Sequence, residues 1–151
     1  MATRYGEDLA VGDTFTFGSH TITAEEIVDF AEEFDPQPFH TDEEAAKESM
    51  FGGLVASGWH VVAITNRLLT DDVFSQVALE GGHGTDKVRF HNPTRPGDTL
   101  SGVAEVVDTD DPESRPGHRD ISFGVTTQND DGDDVLSMIN HAMVARRDAD
   151  D

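Results

Sequence analysis

Asp35 and His40 stand five residues apart in the stretch "EEFDPQPFHTDEEAA" (32–46), with Pro36 and Pro38 between them. A carboxylate and an imidazole brought to one point can hold a water molecule, take a proton from it and hand that proton on. Histidine, with an unperturbed pKa near 6.5, suits the accepting part. On one continuous helix the two side chains would diverge by about 140°, at roughly 100° per residue, and could not share a water. The prolines forbid that helix: each fixes φ and removes a backbone donor, so the link becomes a stiff reversal whose ends can converge. The plainer alternative is a joint between two helices, with Asp35 a turn former and His40 a loop residue.

The flanking segments must position this pair. Thr23 with Glu26 reads as a capping box, and Ile27, Val28, Phe30, Ala31 and Phe34 give a helical apolar face ending at Asp35. Before it, "VGDTFTFGSHTIT" (11–23) alternates as a strand and turn, and after it Thr41 with Glu44 starts a short polar helix over 42–48. Residues 49–70 contain no Asp or Glu, although 31 of the chain's 151 residues are acidic. This stretch avoids solvent, and its apolar run from Leu54 to Leu69 predicts a helix buried almost all round. The runs "TDKVRFHNP", "DTLSGVAEVVDT", "HRDISFGVTTQN" and "DVLSMINHAMVARR", separated by "TRPGD", "DDPESRPG" and "NDDGDD", predict four sequential strands in an antiparallel meander. A curved antiparallel sheet wrapped around one central buried α-helix, an α+β arrangement, buries both elements most economically.

Three segments together resemble the MaoC-like, (R)-specific enoyl-CoA hydratase family, whose members have the hot-dog fold. "DPQPFH" (35–40) is similar to that family's Asp-x-Asn-Pro-x-His element, with Gln37 at the Asn position. "FGGLVASGWH" (51–60) resembles the start of its central helix, and "VRFHNPTRPGDTL" (88–100) its strand-turn-strand lead into the sheet. Glu33-Phe34 stand where members often carry Ser-Gly or Thr-Gly, and Ser57-Gly58 where many carry His-Gly; both departures leave the dyad intact. The resemblance implies reversible hydration of a trans-2-enoyl-CoA to an (R)-3-hydroxyacyl-CoA, with His40 the principal base and Asp35 orienting water and returning a proton to C2. It also implies a homodimer joined sheet edge to sheet edge. Two alternatives share the fold: an acyl-CoA thioesterase, attacking the carbonyl carbon instead of C3, and a non-catalytic acyl-thioester-binding subunit.

For such chemistry the negative charge on the thioester oxygen falls to the N–H of Gly58, near the start of the buried helix with the positive end of its dipole behind it. Ser57 is expected to line the same spot, and Phe39 and Trp59 to line core or acyl tunnel. Arg89, Arg95 and Arg67 are candidates for coenzyme A. No redox cofactor or metal is expected: His83, His91, His118 and His141 are scattered, and no Gly-rich phosphate loop or G-x-S-x-G elbow is present.

Composition narrows the setting. The length predicts one domain over 1–151, with 1–10 and 147–151 as loose ends. The absence of cysteine excludes disulfides and thiolate metal sites. No membrane span and no signal pattern at "MATRYGEDLA" is visible, so a cytoplasmic location is expected. The formal net charge of −21, with Lys47 and Lys87 the only lysines, makes nucleic acid an unsuitable partner. Dispersed carboxylates on a chain nearly emptied of lysine are what a protein from a salt-adapted organism would carry, since salt near 1 M shortens the screening length to about 3 Å.

Overall fold

The computed structural model of the protein describes residues 3–147. Strand β1 (Thr14–Thr21) leads into α1 (Ala24–Phe34), followed by the short helices α2 (Pro38–Thr41) and α3 (Glu43–Lys47) and the long α4 (Gly58–Asp72). Four strands complete the chain: β2 (Leu79–Phe90), β3 (Thr99–Asp110), β4 (His118–Gln128) and β5 (Asp134–Ala145). They form one antiparallel sheet in the order β1-β3-β4-β5-β2, curled around α4 as in the hot-dog fold. Among the described residues, no helix is long and apolar enough to cross a membrane.

The sheet departs from the expected four-strand meander. Only β3, β4 and β5 pair in sequence; β2 lies beyond β5, at the edge opposite β1. The β2–β3 connection therefore crosses the sheet instead of turning in place, because β1 already occupies the flank of β3 that a hairpin would have used. Alternation explains which face is inside: Leu100, Ala104 and Val106 of β3, Ile121, Phe123 and Val125 of β4, and Leu136, Met138, Ala142 and Val144 of β5 are buried against α4. Phe123 is fully buried and meets Phe15 and Phe74 edge-on, with ring centroids 6.5 and 5.6 Å away. Between helix and sheet, the buried hydroxyls of Thr65 and Thr127 lie 2.8 Å apart and satisfy each other.

Helix α4 begins at Gly58, not Leu54, and is not enclosed on all sides. Leu54 to Ser57 are buried but lie outside the helix, whereas Trp59, Ala63, Asn66, Arg67 and Thr70 form an exposed stripe. A five-stranded sheet wraps only part of the helix, so the acid-free stretch leaves one face uncovered. Phe34, expected on the apolar face of α1, is 65% exposed, with its ring leaning on Phe30. The N-terminal segment is held more firmly than expected. Arg4 bridges to Val77, Leu9 is buried, and Arg119 donates to the carbonyls of Gly6 and Leu9. Of the ends expected to be loose, 1–2 and 148–151 lie outside the described residues.

His60 ties α1 to α4. Its ring is buried, stacks on Phe30 at 4.5 Å and 6°, and places Nε2 3.8 Å from the Glu26 carboxylate, which His20 also approaches at 2.9 Å. Burial holds the His60 pKa below the ordinary histidine value, with Glu26 opposing that shift and His20 adding to it.

Two outcomes follow from this packing. Phe123→Ala should cost about 3–5 kcal/mol, read as a loss on the order of 10 °C in melting temperature. A shift below a quarter of that would mean that Phe123 does not organise the core. Because folding favours neutral His60, the unfolded chain takes up this proton first. The contribution is complete above the unfolded value near 6.5 and is lost as pH falls toward the lower folded value. His60→Gln should therefore lose less melting temperature than the parent between about pH 7.5 and pH 5. Equal losses would show that His60 does not titrate in this way.

Candidate active site

The capping box seen in the sequence starts α1: Glu26 N–H donates to Thr23 Oγ1 at 3.2 Å, and Thr23 N–H to Glu26 Oε1 at 2.7 Å. The helix ends at Asp35, whose N–H reaches Ala31 O at 2.8 Å and whose ψ of 67° leaves helical geometry. The chain turns at Pro36, where Gln37 N–H reaches back to Asp35 O at 2.7 Å; Gln37 is extended, and Pro38 opens α2 as its first residue, where its missing N–H costs nothing. The link is thus a reversal followed by a single helical turn, not a plain loop. His40 rides on that turn and is buried.

The two side chains converge. His40 Nε2 lies 3.5 Å from Asp35 Oδ2, close enough for one water at about 2.8 Å to touch both. His40 Nδ1 lies 2.6 Å from Val55 O; a carbonyl can only accept, so Nδ1 carries a hydrogen, and in the neutral ring the lone pair is on Nε2, the nitrogen that faces Asp35. Asp35 Oδ2 accepts from Ser57 Oγ at 2.7 Å, which leaves Oδ1 for another donor.

Ser57, expected to line the spot offered by Gly58, does not line the cavity. It is fully buried and acts from behind, donating to Asp35 while its oxygen caps α4 by accepting from Trp59 N–H at 3.2 Å. Its carbonyl accepts from His60 and Val61 at 3.0 and 3.2 Å. Gly58, the first residue of α4, has no intrahelical acceptor for its own N–H. It faces a cavity of about 350 Å³ lined also by His40, Phe39, Phe51, Val61 and Phe90.

The remaining expectations divide. Phe39 lines the cavity, 4.5 Å from the His40 ring. Trp59 does not: it is 60% exposed on the open side of α4, edge-on to Phe90 at 6.1 Å. Its place in the first turn directs it away from the sheet. Arg67 is also misplaced for coenzyme A in this cavity; it pairs with Asp71 at 2.8 Å and borders a different hollow, beside His20 and His60. Arg95 donates at 2.7 Å to the carbonyl of Phe51, at the cavity rim, and Arg89 donates to Val88 O beside Phe90. The four scattered histidines each have a separate partner: His83 with Asp120, His118 with Glu80, His141 with Asp86 and His91 with Ser137.

Sequence reasoning missed the role of Ser57 and of two aromatic walls, Phe51 and Phe90. Serine immediately before a helix-opening glycine is an N-cap signal and could have identified Ser57 as a fixed donor. Phe51 and Phe90 fall in two of the three quoted motifs, but nothing in their spacing shows that they line one cavity.

Residues 8–129 match the MaoC like domain family. An uncharacterized Bacillus subtilis protein, YdeM, is 33% identical over 102 residues, covering 68% of this chain and 72% of that protein. A crystal structure of a MaoC-like dehydratase from Rhodospirillum rubrum superimposes with a TM-score of 0.87 at 44% identity, covering 95% of this chain and 98% of that one. An R-hydratase from Pseudomonas aeruginosa superimposes with a TM-score of 0.71 at 19% identity, covering 95% and 86%, a likeness that speaks to fold alone. With the family's motif segments joined around one cavity and four-fifths of the chain matched, this protein belongs to the MaoC like domain family.

Proposed function

We propose that the protein is a hydro-lyase that reversibly hydrates a trans-2-enoyl-CoA to an (R)-3-hydroxyacyl-CoA. The observation that carries this reading is the 3.5 Å approach of His40 Nε2 to Asp35, at a cavity that His40 lines together with Gly58, the first residue of α4. In this reading a water sits between His40 Nε2 and Asp35. His40 takes one of its protons as the oxygen bonds to C3, and the C2=C3 pair moves through C1 onto the thioester oxygen. Gly58 N–H meets that oxygen with the helix dipole behind it. Collapse of the enolate draws a proton to C2, supplied from His40 with Asp35 as relay, and the dyad returns to its starting charge. No step calls for a redox cofactor or a metal.

Arg95 and Arg89 are the residues proposed to meet coenzyme A phosphates at the rim. Six of the ten basic residues sit in ion pairs; among the described residues Arg4, Lys87, Arg89 and Arg95 do not, so two of those four flank the cavity. The proposed assembly is a homodimer. It is supported by the long exposed edge strand β2, whose outer side has no strand beside it among the described residues, and by the uncovered stripe of α4. The setting proposed is the cytoplasm of a salt-adapted cell.

Crotonyl-CoA in high salt, followed at once for enoyl absorbance and for free thiol, tests the reading. Absorbance loss without thiol is expected; thiol release would make the protein a thioesterase, and binding without either would make it an accessory subunit. Asp35→Asn and His40→Ala should each lower kcat by at least about 100-fold with the melting curve retained. Ser57→Ala should cost about 10-fold, since it frees Asp35 without removing it. Full activity in either dyad variant would refute the assignment. Salt should also act on the whole molecule: melting temperature and the dimer fraction by sedimentation should both rise between about 0.1 M and 2 M KCl as the charge is screened. Stability flat across that range would remove the case for salt adaptation.

A further inference from the structure

The tip of the Phe90 ring is pressed against the backbone of Gly58. A Cβ at residue 58 would lie 2.5, 2.6 and 2.7 Å from Phe90 Cζ, Cε2 and Cε1, inside any permitted contact distance. Glycine is therefore required at 58 for Phe90 to sit where it does, and the ring in turn covers one flank of the backbone that offers the first N–H of α4. Phe90 is held there. Its backbone pairs with Leu136 at the end of β2, the next residue donates to Val135 O at 3.0 Å, and Trp59 supports the ring edge-on. The ring is half exposed, so it stands at the mouth of the cavity that His40 and Gly58 share.

We infer that Phe90 is a specificity-determining residue that excludes substituents at C2 of the acyl group, restricting the protein to 2-enoyl thioesters unbranched at that carbon. This deepens the hydratase reading of the same cavity and rests on it. A thioester oxygen within hydrogen-bond reach of Gly58 N–H puts C1 and C2 within about 3–5 Å of that nitrogen, given bond lengths near 1.2 and 1.5 Å. The ring tip occupies the same neighbourhood. An unbranched enoyl group presents only a hydrogen at C2 to that ring. A methyl group on C2 adds a carbon that needs about 3.5–4.0 Å of its own from the ring. Rotating Phe90 away would strip it from both Gly58 and Trp59. Phe39 and Phe51, whose rings are 5.3 Å apart and less exposed than that of Phe90, line the same cavity.

The test compares crotonyl-CoA with its 2-methyl analogue, tiglyl-CoA, in the parent protein and in Phe90→Leu and Phe90→Ala. The parent should favour crotonyl-CoA in kcat/KM by about 100-fold, and Phe90→Ala should narrow that ratio by at least 10-fold, with Phe90→Leu between them. A merely structural role would lower both substrates equally and leave the ratio unchanged; that result, or a parent indifferent to the 2-methyl group, overturns the inference. Phe90→Leu keeps the test open should Phe90→Ala fail to fold. Dissociation constants for the unreactive butyryl-CoA and 2-methylbutyryl-CoA separate this from the chemistry. If the parent hydrates neither enoyl substrate yet discriminates the saturated pair, and the variants lose that discrimination, the hydratase reading fails while Phe90 stands. No discrimination in binding overturns Phe90 as well.

Discussion

Ser57 joins the two ends of the candidate site through one buried hydroxyl. Its proton fixes Asp35 Oδ2 at 2.7 Å, and its lone pair fixes the first turn of α4 by accepting from Trp59 N–H. A hydroxyl has one donor and two acceptor sites, so a single serine can serve a carboxylate on one helix and an amide on another at the same time. Alanine in its place would leave a partly buried carboxylate short of a donor and the helix without its cap. The neighbouring backbone adds the second constraint, since Val55 O holds the His40 ring by Nδ1. Two residues just before α4 thus orient both members of a dyad that lies some twenty residues earlier in the chain.

The same constraint explains why α4 must be anchored so firmly. Its first turn presents Gly58, and its later turns bury Val61, Ile64, Leu68 and Leu69 against the sheet. The Thr65–Thr127 hydrogen bond adds a directional contact inside an otherwise apolar core, where either hydroxyl alone would be unsatisfied. Burial gives α4 its place and this polar pair limits its rotation, so the position of Gly58 relative to His40 is set by the core and not by the surface loops.

The elements and the dyad were legible in the sequence because local chemistry encodes them. The Thr23/Glu26 capping box, the prolines after Asp35 and the alternating strands each act within a few residues, and each is found in the structure. Sheet order was not legible, since period-two alternation shows which face a strand buries but not which strand stands beside it. The long crossing from β2 to β3 leaves no local mark. The site was half legible for a similar reason. Asp35 and His40, whose side chains converge, and Phe39, which lines the cavity, lie in one short motif, whereas Trp59, expected to line core or acyl tunnel, is exposed, because its apolarity is indistinguishable in sequence from that of its buried neighbours. Phe90 could be recognised only once β2 and α4 were brought together.

The charge pattern makes a similar point about the rim. At a formal net charge of −21, an arginine placed at random on this surface has many carboxylates within reach, and Arg67, Arg115, Arg119, Arg146 and Arg147 each have one. Arg95 instead spends a guanidinium nitrogen on the carbonyl of Phe51, and among the described residues no carboxylate pairs with it within 4.0 Å. An uncompensated cation in so negative a field attracts whatever anion can approach, and concentrated salt would weaken that attraction over long range while sparing direct contact. A phosphate-bearing ligand would then have to be caught by short-range hydrogen bonds at the rim, for which a planar guanidinium is better suited than an ammonium. Under the acyl-CoA reading, near-exclusive use of arginine is thus the form of positive charge that keeps its grip when screening is strong.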